Sequence, residues 1–398
     1  MKKMKKMKNT LLLLLCVSIL SGCWDSNEPE RLVYANGLGI DYKDGKVIVY
    51  LQIINVKGLA RSEARGDLSS LSQADVGRAT GNTLDEAIFN LYHTTDRRIY
   101  WGHLSFVIFS EEAMKVGGLK YIADFLDRYR ETRYRIYFFM AKDPLKDAML
   151  ISPIENVSMA FSKLSDPDGN YKQSSFIPPI NLRELIIELD EPAHQVAIPQ
   201  LKITEQWTGQ NEKKQDLLIE RVAIISENKI KTILPKKVMN GGRWFNKDFV
   251  RDNLTIFPET KNDAFVVIYD KKTKIIPVVE KNGTVRFDVK MKLKASVEMM
   301  IMDITRKQYE KEIMRSIKKE INKTYQYTQK REIDLLRLSE TLYRKDNKAW
   351  KKIEIKGRIP LEEDTLRSIQ IDVEIQDTGK QRLTPIFDGQ KDKGIENQ

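Results

Sequence analysis

The feature that most constrains this chain lies in its first 23 residues. Lys2, Lys3, Lys5, Lys6 and Lys8 give a basic start, and residues 11–20 read LLLLLCVSIL. A charged segment followed by a short apolar run is the order of a secretory signal peptide. The run is ten residues long, whereas a spanning helix needs roughly 20. Ser21 and Gly22 then supply small side chains immediately before Cys23. Whatever follows must fold as a polar body outside the segment that directs export.

The sequence Leu20-Ser21-Gly22-Cys23 resembles a bacterial lipobox. The resemblance implies that Cys23 becomes the first residue of the mature chain. It would carry a thioether-linked diacylglycerol and an N-acyl group such as palmitate. One acyl chain binds a bilayer weakly, while two hold it stably, at about 0.8 kcal/mol per buried methylene. Cys16 falls in the removed segment, so no thiol pair is left for a disulfide or a thiolate metal site.

The chain has 398 residues and a formal charge of +11. Five of those charges are the lysines of the first 22 residues, which leaves +6 for the rest. That modest excess suits a protein beside anionic headgroups and does not call for nucleic acid. No later stretch approaches a spanning length.

Periodicity predicts an α+β chain of several domains, with mixed sheets, packed helices and a long strand followed by a long helix near the C-terminus. The expected divisions are a signal peptide over 1–22, a lipidated tether over 23–30 and an N-terminal α+β domain over 31–204. A middle β-rich domain over 216–280, a C-terminal α+β domain over 281–387 and a disordered tail over 388–398 complete the series. Strands over 32–41 and 47–56 flank the turn residues Lys43-Asp44-Gly45. Residues 61–79 read as a polar loop. Thr83 and Glu86 form a capping box before an apolar helix face. Residues 98–109 read as one strand, 132–140 as another and 196–203 as a third; residues 205–215 read as a linker. Strands are expected over 264–269 and 274–279, on either side of a turn at 270–272. Alternation predicts a long strand over 285–301, and Tyr309, Ile313, Ile317, Ile321 and Tyr325 mark the i+4 stripe of a long helix over about 305–343, bent or broken near 328–334.

Residues with catalytic chemistry are sparse. His93, His103 and His194 are the three histidines, and none has a partner at the spacing a helical metal pair needs. Nucleophile-elbow and phosphate-loop patterns are absent. Gly37-Leu38-Gly39 reads as a bulge or a close backbone approach. Asp166, Asp168 and Gly169 read as a turn rather than a calcium loop. Glu111 and Glu112 suit the first turn of a helix. These readings favour a protein that is not an enzyme, with no cofactor and no metal.

Several segments, taken in order, resemble the Ger(x)C (GerAC) spore germination lipoproteins. They are Cys23-Trp24-Asp25 with Gly39 and Asp41, then GNTLDEA over 81–87, then Arg97-Arg98-Ile99-Tyr100 with Gly102, His103 and Glu111. Asp124-Phe125-Leu126, Phe287-Asp288-Val289 and Leu342-Tyr343-Arg344 continue the series. Near Asp334 the family's glycine-containing stretch is missing, which puts the helix break there in question. The resemblance implies a three-domain α/β body anchored on the outer face of the spore inner membrane. It implies two membrane partners, an A-type subunit and a permease-like B-type subunit, and a nutrient response to amino acids or sugars bound by the complex rather than by this subunit. It assigns no role to Trp24, Asp25, Gly39, Asp41, Gly102, His103 or Glu111. A solute-binding lipoprotein feeding a transporter is the alternative, and poor βα alternation argues against its two similar lobes.

Overall fold

The computed structural model describes residues 31–55, 73–154, 157–209, 213–226, 228–256, 264–299 and 305–377. The signal segment, the lipobox, Cys23, the tether and the tail lie outside the described residues.

The chain opens with β1 (Leu32–Lys43) and β2 (Lys46–Ile54). Asp44 and Gly45 both take positive φ between them, as a two-residue hairpin turn requires. Then come β3 (Ala74–Gly81), α1 (Leu84–Tyr92), β4 (Arg98–Tyr100), β5 (Phe106–Phe109), α2 (Glu111–Lys115), α3 (Gly118–Arg128), β6 (Tyr137–Ala141) and α4 (Leu145–Leu150). They are followed by α5 (Asp168–Gln173), α6 (Leu182–Asp190), β7 (Val196–Thr208), β8 (Lys213–Ser226) and β9 (Lys229–Pro235). These strands form a nine-stranded sheet in the order β3-β2-β1-β5-β6-β7-β8-β9, with β4 also paired to β1. β1, β5, β6 and β7 run parallel, and antiparallel hairpins close both sides. Parallel strands are covered on both faces, so β5 and β6 are buried at every position. Leu38, Val107 and Phe138 face α1, α3 and α6; Phe106, Ile108 and Phe139 face α4.

A short α7 (Lys236–Met239) leads to β10 (Asp252–Ile256), β11 (Ala264–Val279), β12 (Val285–Met299), α8 (Arg306–Gln329), α9 (Leu338–Lys345), α10 (Asn347–Ile353) and β13 (Leu366–Asp377). The second sheet has the order β10-β11-β12-β13, with β13 parallel to β12. Val285, Phe287, Val289, Met291, Leu293 and Ala295 turn inward onto Tyr309, Ile313, Ile317, Ile321 and Tyr325 of α8, and all eleven are buried. Thr305 and Gln308 cap α8 with a reciprocal box, and the helix ends before residues 330–337, as the i+4 stripe implies.

Several local expectations differ from what forms. The stretch over 98–109 is two strands separated by a 3₁₀ turn at Trp101–His103, because Gly102 packs under the Tyr100 ring where a Cβ would stand 2.6 Å from it. The strand expected over 132–140 begins only at Tyr137, and Arg133, Tyr134 and Arg135 are exposed before it. Part of the loop expected over 61–79 is β3, whose partner is β2. Thr83 caps α1, but Glu86 returns its carboxylate to the Asn82 N–H rather than to Thr83. The linker expected over 205–215 falls on the two arms of the β7–β8 hairpin. The strands of the expected middle domain do not share one sheet: β8 and β9 join the first, β10 and β11 the second. The turn expected at 270–272 is the centre of β11, where Asp270, Lys271 and Lys272 pair with Lys294, Leu293 and Lys292 just after a bulge at Tyr269.

Candidate functional site

The residues singled out in the sequence do not converge. Trp24 and Asp25 lie outside the described residues. Gly39 and Asp41 lie on β1, and Glu111 opens α2 at the same end, where the Ser110 N–H donates to the Ile40 carbonyl. Glu111 pairs with Lys115 at 2.9 Å and sits in a first turn capped by Ser110. Gly102 and His103 lie before β5, at the opposite end of the parallel strands. There the exposed His103 ring stacks 4.9 Å from Tyr34. Six strand residues at about 3.3 Å each separate the two groups. The glycines serve packing: a Cβ on Gly39 would meet Met149 Sδ at 2.9 Å, and one on Gly37 would meet the Phe106 ring at 2.1 Å. Asp166 and Asp168 both pair with Arg135.

The dense polar chemistry lies instead where the second sheet's helices meet the first sheet. His194, just before β7, has a side chain only 4% exposed. Its Nε2 is 3.1 Å from Glu188 of α6, and its Nδ1 is 3.3 Å from Glu340 of α9. His194 Nε2 and Glu340 Oε2 have no aligned hydrogen bond, so these contacts act as charge pairs. Around them Arg337 holds Glu188 at 2.9 Å, and Arg344 grips Glu191 through two bonds of 2.7 and 2.6 Å. Arg344 and Lys247 also reach Glu340, at 3.0 and 3.4 Å. Burial works against a charge on His194, but Glu188 and Glu340 outweigh it and raise the imidazole above its ordinary pKa. Burial likewise works against the Glu340 carboxylate, yet His194 and Arg337 bring it down to about 2. Asp334 accepts the Leu338 and Ser339 N–H groups at the start of α9; desolvation of this half-buried carboxylate raises its pKa against those bonds.

A second hub centres on Arg243, which follows the Gly241-Gly242 pair. Its guanidinium donates to Asp252 at 2.7 Å and to both Glu320 oxygens at 3.1 Å. Trp244 Nε1 donates to the same Glu320 at 2.9 Å, and Ser174 Oγ to Asp252 at 2.9 Å. The guanidinium also lies 4.6 Å from the Trp244 ring and 5.5 Å from Phe176. Residues from α8, β10 and the segment after α5 are thus tied through one cation. A Cβ at Gly241 would stand 2.5 Å from the Glu320 carbonyl oxygen, so the glycine admits the close approach of α8. Periodicity has no means of pairing Arg243 with Glu320; the Gly-Gly pair was the one sequence sign of a tight crossing.

Among the described residues no group of three or more His, Cys, Asp or Glu side chains is placed to hold a metal, and no helix is long and apolar enough to cross a membrane. The arrangement suits holding two bodies in fixed register. A family model described as "Spore germination protein N-terminal domain" matches residues 25–203, and one described as "Spore germination B3/ GerAC like, C-terminal" matches residues 220–379. The chain belongs to the GerAC family of spore germination proteins. Spore germination protein KC of Bacillus subtilis (strain 168) is 24% identical over 363 residues, covering 86% of this chain and 88% of its own. The putative spore germination protein YfkR of the same organism is 24% identical over 338 residues, 82% and 85% of the two chains. The crystal structure of the GerBC protein superposes with a TM-score of 0.52 at 16% identity, over 88% of this chain and 99% of that one, and shares the mixed α+β fold. The seam between the two GerAC matches falls across the β7–β8 hairpin, inside the first sheet.

Proposed function

We propose that this GerAC chain is the lipid-anchored C subunit of a nutrient germinant receptor, held on the outer face of the spore inner membrane. The observation that carries this reading is the ordered match of both GerAC halves over 25–203 and 220–379. The lipobox ending at Cys23 supplies the anchor. An A-type subunit and a permease-like B-type subunit are its partners, and the nutrient, an amino acid or a sugar, is bound by the assembled complex. Anchoring confines the chain to the plane of its partners and raises its effective concentration there. Its work is assembly rather than catalysis.

The test is capture of the tagged chain from detergent-solubilised spore membranes, with its companions identified by mass spectrometry. Recovery of two membrane-embedded subunits is expected. Recovery alone, or with an ATP-driven transporter, would overturn the receptor reading. Cys23→Ala is expected to move the protein from the membrane to the soluble fraction and to blunt the germination response.

A further inference from the structure

We propose that the end of the first sheet from which the chain leaves toward Cys23 rests on anionic phospholipid headgroups, through Arg97, Arg130, Arg133 and Tyr134. The proposal rests on Cys23 being the lipid anchor. Arg31, the first described residue, lies eight positions after Cys23. At about 3.3–3.6 Å per residue the tether reaches at most about 30 Å, so this end of the sheet is confined close to the bilayer.

The topology fixes which residues stand there. Leu32, at the start of β1, pairs directly with Arg98, at the start of the parallel β4. Arg98 binds Glu131 at 2.9 Å, and Glu131 also accepts the Trp101 N–H. The loop over 127–135 is thereby clamped beside the loop over 93–98. Together the two loops hold six arginines and three acids. Arg98, Arg128 and Arg135 are engaged with Glu131, Asp124 and the pair Asp166/Asp168. Arg97, Arg130 and Arg133 are exposed and make no ion pair among the described residues. Tyr134 is 60% exposed beside them. A cavity of about 370 Å³ opens between the loops, lined by Arg97, Trp101 and Tyr129 among others. Unpaired arginines are attracted by an anionic surface within a Debye length. An exposed tyrosine suits the headgroup layer, where its ring and hydroxyl meet different surroundings.

The mature chain from residue 23 onward, with Cys23→Ser to remove the anchor, separates this face from the lipid. It is expected to sediment with vesicles of equal parts phosphatidylglycerol and phosphatidylcholine, weaken as salt rises, and stay in solution with phosphatidylcholine alone. The triple variant Arg97→Gln/Arg130→Gln/Arg133→Gln should lose at least about ten-fold in partitioning with an unchanged melting temperature, and Lys at all three positions should restore it. A control variant, Lys272→Gln/Lys274→Gln/Lys290→Gln/Lys292→Gln, removes an exposed basic cluster on the second sheet and should bind as the parent does. Equal binding to both vesicle types, parent-like binding by the triple Gln variant, or loss of binding in the control would each overturn the proposal. The anchor is read separately, from the mass of the N-terminal peptide of the unsubstituted chain; an unlipidated Cys23 with headgroup binding intact would sink the anchor and not this face.

Discussion

At the scale of single residues, His194 is the group whose protonation the fold depends on. It is enclosed by Glu188 and Glu340, with Arg337 and the half-buried Asp334 nearby. Its folded pKa is raised above the unfolded value of about 6.5. The stability it contributes is therefore fully present below about pH 6.5 and is lost as pH rises through the folded value. Glu340 has the opposite sign: held at about 2, it contributes above its unfolded value and its contribution is lost as pH falls toward 2. His194→Gln keeps the volume and removes the charge. It should lower unfolding free energy by on the order of 2 kcal/mol at pH 6, and the gap to the parent should shrink at pH 9. Urea titrations at the two pH values measure this, and an equal gap at both would contradict the assignment.

At the scale of elements, the second sheet separates what alternates from what is paid for in repulsion. The inner face of β12 packs on α8, while its outer face carries Lys290 and Lys292, directly across from Lys274 and Lys272 of β11. All four are exposed, and like charges directly opposite on a sheet destabilise it. Lys274→Glu places a carboxylate opposite Lys290, whose other neighbour is the uncharged Gln370. The variant should gain about 0.2–1 kcal/mol, seen as a higher melting temperature that salt diminishes; a lower one would rule out the repulsion. The same elements show what a sequence can and cannot announce. The β12 alternation and the α8 stripe were legible because one face is buried along their whole length. Asp270-Lys271-Lys272 reads as a turn because three consecutive polar residues interrupt the apolar alternation; in the strand Lys272 is exposed, while the half-buried Lys271 points to the other face and donates to the Asn246 carbonyl. The break at Trp101–His103 was hidden because the apolar character runs on through it, with Gly102 its one local sign. His194, just before β7, and Glu340, on α9, are far apart in sequence and meet only in the tertiary fold, which no local pattern encodes.

At the scale of the whole molecule, the first sheet meets the second body through an apolar cluster, in which Val222, Ile224 and Leu234 pack with Ile333, and through a few buried charges beside it. Arg243 is 5% exposed and neutralises Asp252 and Glu320 together. Burial raises the Glu320 pKa against the pull of Arg243, so desolvation opposes that attraction. Buried pairs of this kind add little net stability, but breaking one by removing a single partner is costly, because a charge is left without compensation. Arg243→Met should therefore cost about 3–5 kcal/mol. It should also free α8 from the segment at 174–176, so that the second body unfolds before the first. Trp244 lies in this hub and Trp101 in the first core, so tryptophan fluorescence during urea unfolding, followed by limited proteolysis near residues 236–252, reports the order. Adding Glu320→Gln removes one stranded charge and should recover part of the loss, whereas two unrelated lesions would simply add. A single transition at the parent's midpoint in Arg243→Met would show that the hub does not join the bodies. On the proposed reading of a lipid-anchored subunit, this rigidity would matter more than stability itself, since the N-terminal body can set the position of the C-terminal sheet only while the two move as one.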